Sequence, residues 1–454
     1  MEKNKNIFKL RNAQILILGM LILILIGAFL LKLPISTNRG ISLIDSIFVS
    51  TSALCVTGLT PIVPVEEFTM FGQVIIMLLI QIGSVGLIFF ITLTLLLLGK
   101  RIGLSERILI QDSLGHSNFS GIIKLVKAIF KYTVLIELIG AIILSFRLIP
   151  MYGPDLGMFY SIFHAISSFC NAGFDLFGNT SMQEFKLDKL MNITTMVLIT
   201  LGGLGFPVLS DIFIKIKEGI SKRLSIKKVA KNFALHTKLV LAISVILVIM
   251  STATFYIFEN NNEKSLKNHT FTEKLLLSSF QGVTLRTAGF QSVEFAELEP
   301  VTQVTSMIYM FIGGSPISTA GGIKTVTFGI IILLVLSYIR GKEQVLCFSQ
   351  AIPKIVARRA IVVTFLNMFM VVLGVILLMA SQNITFIASM FEVISALGTV
   401  GLTLATTPLI STFGKCVLII LMTVGRLGAI TISIALIDAH KTKITYPEGN
   451  IMMG

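Results

Sequence analysis

Charge is scarce in this chain: Asp, Glu, Lys and Arg make up 13% of 454 residues, against 54% hydrophobic types. A soluble protein of two or three domains needs more charge than that to cover its surface, so the composition excludes that class and places the chain in a bilayer. Cysteine is sparse too. Four residues give no disulfide framework; Cys55 and Cys170 fall at equivalent places in a repeat, Cys347 in an inner loop and Cys416 in a helix, and all four read as small packing residues. The five histidines form no metal-ligand pattern, and His164, in a short helix, reads as a packed side chain. No catalytic pair or prosthetic-group site stands out, so neither an enzyme activity nor a covalently bound cofactor is assigned. The first apolar stretch lacks a small-residue cleavage site and is long enough to span, so it reads as a retained helix rather than a signal peptide.

What abounds is apolar length. Uncharged stretches at 12–31, 68–99, 190–210, 239–258 and 300–323 can each cross a hydrocarbon layer of roughly 30 Å. A formal net charge of +14 could suggest nucleic acid, but 25 of the 37 Lys and Arg lie in 1–11, 100–131, 215–238, 340–359 and 441–443. Loops of the opposite side are mixed or acidic, with Glu66, Glu67, Asp155, Glu259, Glu263, Glu294, Glu297 and Glu299. That asymmetry predicts both termini in the cytoplasm and excludes a nucleic-acid partner.

A glycine recurs at Gly58, Gly173, Gly289 and Gly401, at intervals of 115, 116 and 112 residues, inside segments alike in chemistry. An apolar residue stands four before each (Leu54, Phe169, Leu285, Leu397) and another directly after (Leu59, Phe174, Phe290, Leu402). Phe48, Phe163 and Phe391 stand ten before, with Phe280 one step off. Each repeat parses as a spanning helix, a short helix, the glycine loop and a second spanning helix. The short helices fall near 42–54, 157–169, 272–284 and 385–397, and the second spans near 68–98, 188–214, 300–338 and 413–438. About 13 residues cannot cross a bilayer, so each short helix enters from outside and returns through its loop, which is tolerated only around water or protein. The expected fold is an all-α integral membrane protein of eight spanning helices and four re-entrant half-helices, with pseudo-repeats 1–116, 117–232, 233–355 and 356–454 around a central cation pore. Glycine suits such loops because successive carbonyls can be aimed at one axis, and the C-terminal ends of the short helices add partial negative charge there.

A second cluster follows each loop glycine: Gly83 and Gly86, Gly202 and Gly205, Gly313 and Gly314, Gly425 and Gly428. In three repeats close helix packing accounts for it. The third continues through Ser315, Pro316, Ile317, Ser318, Thr319, Ala320, Gly321, Gly322, Ile323, Lys324 and Thr325, a composition that predicts a helix broken in mid-membrane beneath the loops. Gly-Gly-Ile-Lys-Thr lacks the spacing and preceding strand of a phosphate loop, so no nucleotide site is read there. Arg426, mid-way along the last span, either pairs with Glu392 or Glu137 or faces the pore as a barrier. Arg286 is expected to tie its loop to the outer scaffold.

These residues resemble the Trk/Ktr/HKT superfamily of potassium transporters over nearly the whole chain. The absence of an extra helical hairpin before the first repeat and the short tail 446–454 resemble the bacterial Ktr membrane subunits. The resemblance implies a selectivity filter at Val56, Thr57, Gly58, Asn171, Ala172, Gly173, Thr287, Ala288, Gly289, Thr399, Val400 and Gly401, with potassium held there in transit. It implies a gate made of Gly313–325 and Arg426, a homodimer with one pore per subunit, a cytosolic ring of nucleotide-binding regulatory subunits, and uptake often linked to sodium. Plant relatives that favour sodium commonly carry serine at the first filter glycine; Gly58 is retained here. The basic inner loops and the tail 441–454 are expected to meet the ring, with anionic lipid as the competing partner. An ion-coupled secondary transporter with internally repeated halves is the alternative, but four same-direction modules disfavour inverted repeats.

Overall fold

The computed structural model describes residues 12–86, 122–178 and 180–428. The predicted tail and much of the inner segment 100–131 lie outside them.

Four long apolar helices open the four repeats: α1 (Asn12–Lys32), α4 (Ile122–Tyr152), α8 (Leu235–Glu259) and α12 (Lys354–Ser381). Each is long enough to span, yet only 28% of the most apolar window of each is buried. They therefore form the lipid-facing wall, and Leu25, Phe29, Phe146 and Phe365, at 60–72% exposure, point outward from it.

The short helices are α2 (Leu43–Cys55), α5 (Pro154–Cys170), α9 (Phe271–Thr284) and α13 (Phe386–Gly398). Their starts carry local signals. Ser42 accepts from Asp45 N, Thr270 and Glu273 form a capping box, Thr385 accepts from Ala388 N, and Pro154 follows Gly153 at the start of α5. Phe48, Phe163, Phe280 and Phe391 are at most 1% exposed, so the phenylalanine one step off in the third repeat still reaches the core.

The second helices depart from expectation. They are α3 (Met70–Val85), α6 (Lys189–Leu204), α10 (Pro300–Phe311) and α14 (Thr412–Leu427), and none runs through. The third breaks as predicted; its chain is non-helical over 312–324 and resumes as α11 (Thr325–Ile339), so Thr325 opens a helix rather than closing the loop. The other three, predicted to be continuous, stop at Gly86, Gly205 and Gly428, with φ of 93°, 91° and 85° and ψ of 141°, 141° and 135°. Side chains strongly resist that backbone region, which is why glycine stands there. Beyond Gly205 the chain turns by 100° into α7 (Phe206–Ser221), so the predicted span 188–214 is a bent pair. The continuations past Gly86 and Gly428 fall outside the described residues.

The repeats close into a ring. Helix α3 packs on α5, α6 on α9, α10 on α13 and α14 on α2, so the second helix of each repeat lies against the short helix of the next. Close approach is built by the first glycine of each pair: a Cβ on Gly83, Gly202 or Gly425 would collide with the carbonyl of Leu54, Phe169 or Leu397 in its own repeat. Packing of this kind, rather than water exclusion, holds helices together in lipid.

Candidate ion pathway

Each short helix ends by throwing one non-glycine residue into the left-handed region: Val56 at φ 58°, Asn171 at 60°, Thr287 at 62° and Thr399 at 50°. Such a conformation costs roughly 1–3 kcal/mol at each position, most for β-branched Val and Thr. Hydrogen bonds impose it. Thr57 N donates to Ser52 O, Ala172 N to Ser167 O and Val400 N to Ser395 O, each at 2.8 Å, and Ala288 N to Thr284 O at 3.0 Å. The side chains of Ser52 and Ser395 then accept from Gly58 N (3.0 Å) and Gly401 N (3.1 Å), while Thr284 Oγ1 accepts from Phe290 N and donates to Phe290 O. These hydroxyls, six residues before the segments they hold, were not read from the sequence; their equivalent spacing was the available signal.

The four glycines then meet. Their φ values lie between 69° and 94°. A Cβ on Gly58 would lie 2.5 Å from Ala172 O, on Gly173 2.9 Å from Ala288 O, on Gly289 2.5 Å from Val400 O, and on Gly401 closer still to Thr57 O. Each glycine thus abuts the carbonyl of the residue preceding the glycine in the next repeat, around a closed circuit. All four line one cavity of ≈ 570 Å³, together with Asp175, Gln291, Glu294 and Thr403. Asp175, in the loop beyond α5, is held by Ser181 Oγ (2.6 Å) and Phe177 N (3.2 Å). Burial pushes its carboxyl up to about 6, against the pull of those two donors.

On the other side of the circuit lies the 312–324 loop. Its ends are pinned together by Gly313 N to Ile323 O (2.9 Å) and Thr325 N to Gly314 O (3.0 Å), with a bridge between Ile312 and Ile323. Thr319 Oγ1 donates to Phe169 O at 3.3 Å and meets the Asn171 side chain at 3.0 Å, while a Cβ on Gly321 would strike Thr399. Ser315 N donates to Gly203 O and Phe206 N to Ile317 O, both at 3.0 Å, so the loop also rests on the bend at Gly205. Lys324 Nζ turns back on Ala320 O at 2.7 Å.

Arg426 reaches this loop, but neither expected carboxylate. Its guanidinium donates to Thr319 O and to Gly83 O, and to Ser84 O at 3.0 Å. Glu392, fully buried, instead accepts from the Thr406 and Thr407 hydroxyls (2.6 and 2.9 Å) and from Thr403. Glu137 accepts from Gln81 Nε2 at 2.6 Å. The physical reason is position: Arg426 stands beside the C-terminal end of α3, where free carbonyls carry partial negative charge. The scaffold role expected of Arg286 is not seen. It is buried, and its Nε and Nη2 make no hydrogen bond among the described residues. His164 packs as expected, with Nε2 3.0 Å from Thr195 Oγ1 and its ring against Phe177 and Phe290. All four cysteines are free; Cys416 is exposed rather than packed.

Fold and site together define a multi-pass helical membrane protein with four re-entrant loops around one axis. Residues 3–443 match the family described as TrkH, cation transport protein, and the chain belongs to that family. It is 41% identical over 441 residues to the Ktr system potassium uptake protein B of Bacillus subtilis, covering 97% of this chain and 96% of that one. It is 37% identical to the potassium/sodium uptake protein NtpJ of Enterococcus hirae, with 98% of both chains covered. The crystal structure of the potassium transporter TrkH from Vibrio parahaemolyticus superimposes with a TM-score of 0.75 at 20% identity, over 96% of this chain and 87% of that one, a likeness of fold.

Proposed function

We propose that this chain carries potassium inward across the bacterial plasma membrane, through a filter made of the four glycine loops. The observation that carries the reading is the closed circuit in which the Thr57, Ala172, Ala288 and Val400 carbonyls abut Gly401, Gly58, Gly173 and Gly289 respectively. A ring of backbone oxygens replaces the water around a cation, and the carbonyl ends of four half-helices favour positive over negative ions. The cavity beyond it, with Asp175 and Glu294, is the outer mouth. The 312–324 loop, held by Arg426, is the gate on the inner side. Sodium enters the reading as a second ion or activator, supported by the potassium/sodium uptake relative. We further infer a homodimer and a cytosolic nucleotide-binding ring seated on the inner loops beyond Lys222, with both termini inside. Four repeats packed in one rotational sense support a pore over a transporter of inverted halves.

The test is flux of potassium, rubidium and sodium into vesicles holding the purified protein, at imposed voltage. Potassium and rubidium should pass faster than sodium and follow the voltage. Flux fixed in stoichiometry to a second ion, whatever the voltage, would favour the coupled transporter.

A further inference from the structure

Helix α7 leaves the bundle at Gly205, turned 100° from α6, and runs into the basic segment 215–238 that the charge pattern places on the inner side. Its buried side chains sit near its start, at Phe206, Val208 and Leu209. Farther on, Phe213, Ile214, Ile216 and Ile220 are 42–75% exposed. Between this stretch and α4 lies a groove of ≈ 650 Å³ lined by Tyr132, Phe213, Ile216, Lys217, Ile220 and Ser221, among others. Tyr132 and Phe213 stack along it, ring centroids 4.7 Å apart and 21° from parallel. Lys215 is paired with Glu218 at 3.1 Å, whereas Lys217 makes no ion pair among the described residues.

We propose that this groove binds one anionic phospholipid, with its acyl chain against Phe213, Ile216 and Ile220 and its phosphate at Lys217. The groove is open to the surface, and it sets one cation, Lys217, beside apolar walls long enough for an acyl chain. Its place selects the ligand. A helix that carries exposed Phe213, Ile216 and Ile220 beside Lys217 at the start of a basic inner segment meets acyl chains and headgroups together. Lys222 and Arg223 continue the basic edge in sequence, and charge of this kind attracts anionic lipid.

Occupancy would reach the ion pathway. The first residue of α7 donates to the gate loop, Phe206 N to Ile317 O, and a Cβ on Gly205 would lie 2.7 Å from Pro316 O. Lipid that fixes α7 therefore biases the loop. This part rests on the gate and inner-face orientation proposed above.

Phosphatidylglycerol and phosphatidylcholine would be titrated onto the detergent-purified full chain and counted by native mass spectrometry. Lys217→Gln should weaken phosphatidylglycerol binding about fivefold and leave phosphatidylcholine unchanged. Lys228→Gln, on the neighbouring 226–231 helix, should change it less than about twofold. Ile216→Trp, which keeps every charge but fills the groove, should also weaken binding. Equal losses at Lys217 and Lys228 would reduce the effect to diffuse attraction and overturn the site. Unchanged lipid binding in Lys217→Gln, with loss of a co-purifying cytosolic protein, would assign that lysine to a protein partner and overturn it as well. Potassium flux in phosphatidylcholine vesicles should respond to added phosphatidylglycerol in the parent and less in Lys217→Gln; an equal response overturns the link to the gate. Absence of cation flux in the parent would sink the proposed pathway while the binding result still stood.

Discussion

Lys415 of α14 lies 2.6 Å from Asp45 near the start of α2, with side chains 14% and 16% exposed, and this pair fastens the last repeat to the first. The other junctions between repeats lie within a continuous chain order, whereas this one must be closed through space. Breaking a pair that is mostly shielded from water leaves one charge without its partner. Asp45→Asn should therefore destabilise by about 1–3 kcal/mol, between the values for exposed and buried pairs. The check is thermal unfolding in detergent, with the exchange Asp45→Lys plus Lys415→Asp recovering part of the loss. An unchanged midpoint for Asp45→Asn would remove the pair from ring closure.

Substituting the four loop glycines, the proposed filter, should produce graded damage. Alanine at Gly401 pushes hardest on a neighbouring carbonyl, Gly58 and Gly289 follow at 2.5 Å, and Gly173 has most room at 2.9 Å. The potassium-to-sodium uptake ratio in a transport-deficient strain should fall in that order, with Gly58→Ser behaving like Gly58→Ala. A ratio that is the same in all four surface-expressed variants would take the glycines out of the selectivity step.

Arg426→Ala should raise flux. An unpaired arginine about 6 Å from a passing cation opposes it by up to about 3 kcal/mol at an effective dielectric of ~20. The Thr319, Gly83 and Ser84 carbonyls offset part of that, so the expected gain is nearer tenfold than a hundredfold. Glu392→Gln should not imitate it, because that carboxylate serves Thr403, Thr406 and Thr407. Removing Ser315–320 should also raise flux and, if the proposed cytosolic ring acts through this loop, weaken its dependence on that ring. If both variants reach the membrane and conduct no faster than the parent, the gate lies elsewhere.

Outer pH should matter through Asp175. Its carboxyl, raised by burial from 3.8 to about 6, is ionised at neutral pH and draws cations to the mouth. Uptake should fall as outer pH drops through about 6, and Asp175→Asn should flatten that response. For stability the sign is opposite. The folded state holds this proton more tightly than the unfolded chain, so the cost of the buried carboxylate is full above about 6 and disappears as pH falls toward 3.8. A pH response at the same midpoint in Asp175→Asn would take Asp175 out of the response.

Much of the ring was legible because the chain states it four times: a pattern too weak in any one loop becomes clear at Gly58, Gly173, Gly289 and Gly401. The third-repeat break was legible because Pro316 removes a helix hydrogen bond and the four glycines add the entropic cost of ordering a helix. The breaks at Gly86, Gly205 and Gly428 were missed because glycine in an apolar helix usually serves packing. Here the duties are divided at a spacing of three: Gly83, Gly202 and Gly425 serve packing, and the glycine one turn on ends the helix. Arg426's partners were hidden for another reason. They are main-chain oxygens, and no side-chain pattern announces a carbonyl.

The circuit of loops has a genetic consequence. A side chain added at Gly58 presses on Ala172, at Gly173 on Ala288, at Gly289 on Val400, and at Gly401 on Thr57. Damage is thus handed forward by one repeat, and second-site suppressors of a lesion at one of these glycines belong in the repeat that follows it, with the fourth repaired from the first. A suppressor screen would read the order of the repeats around the ring directly from heredity.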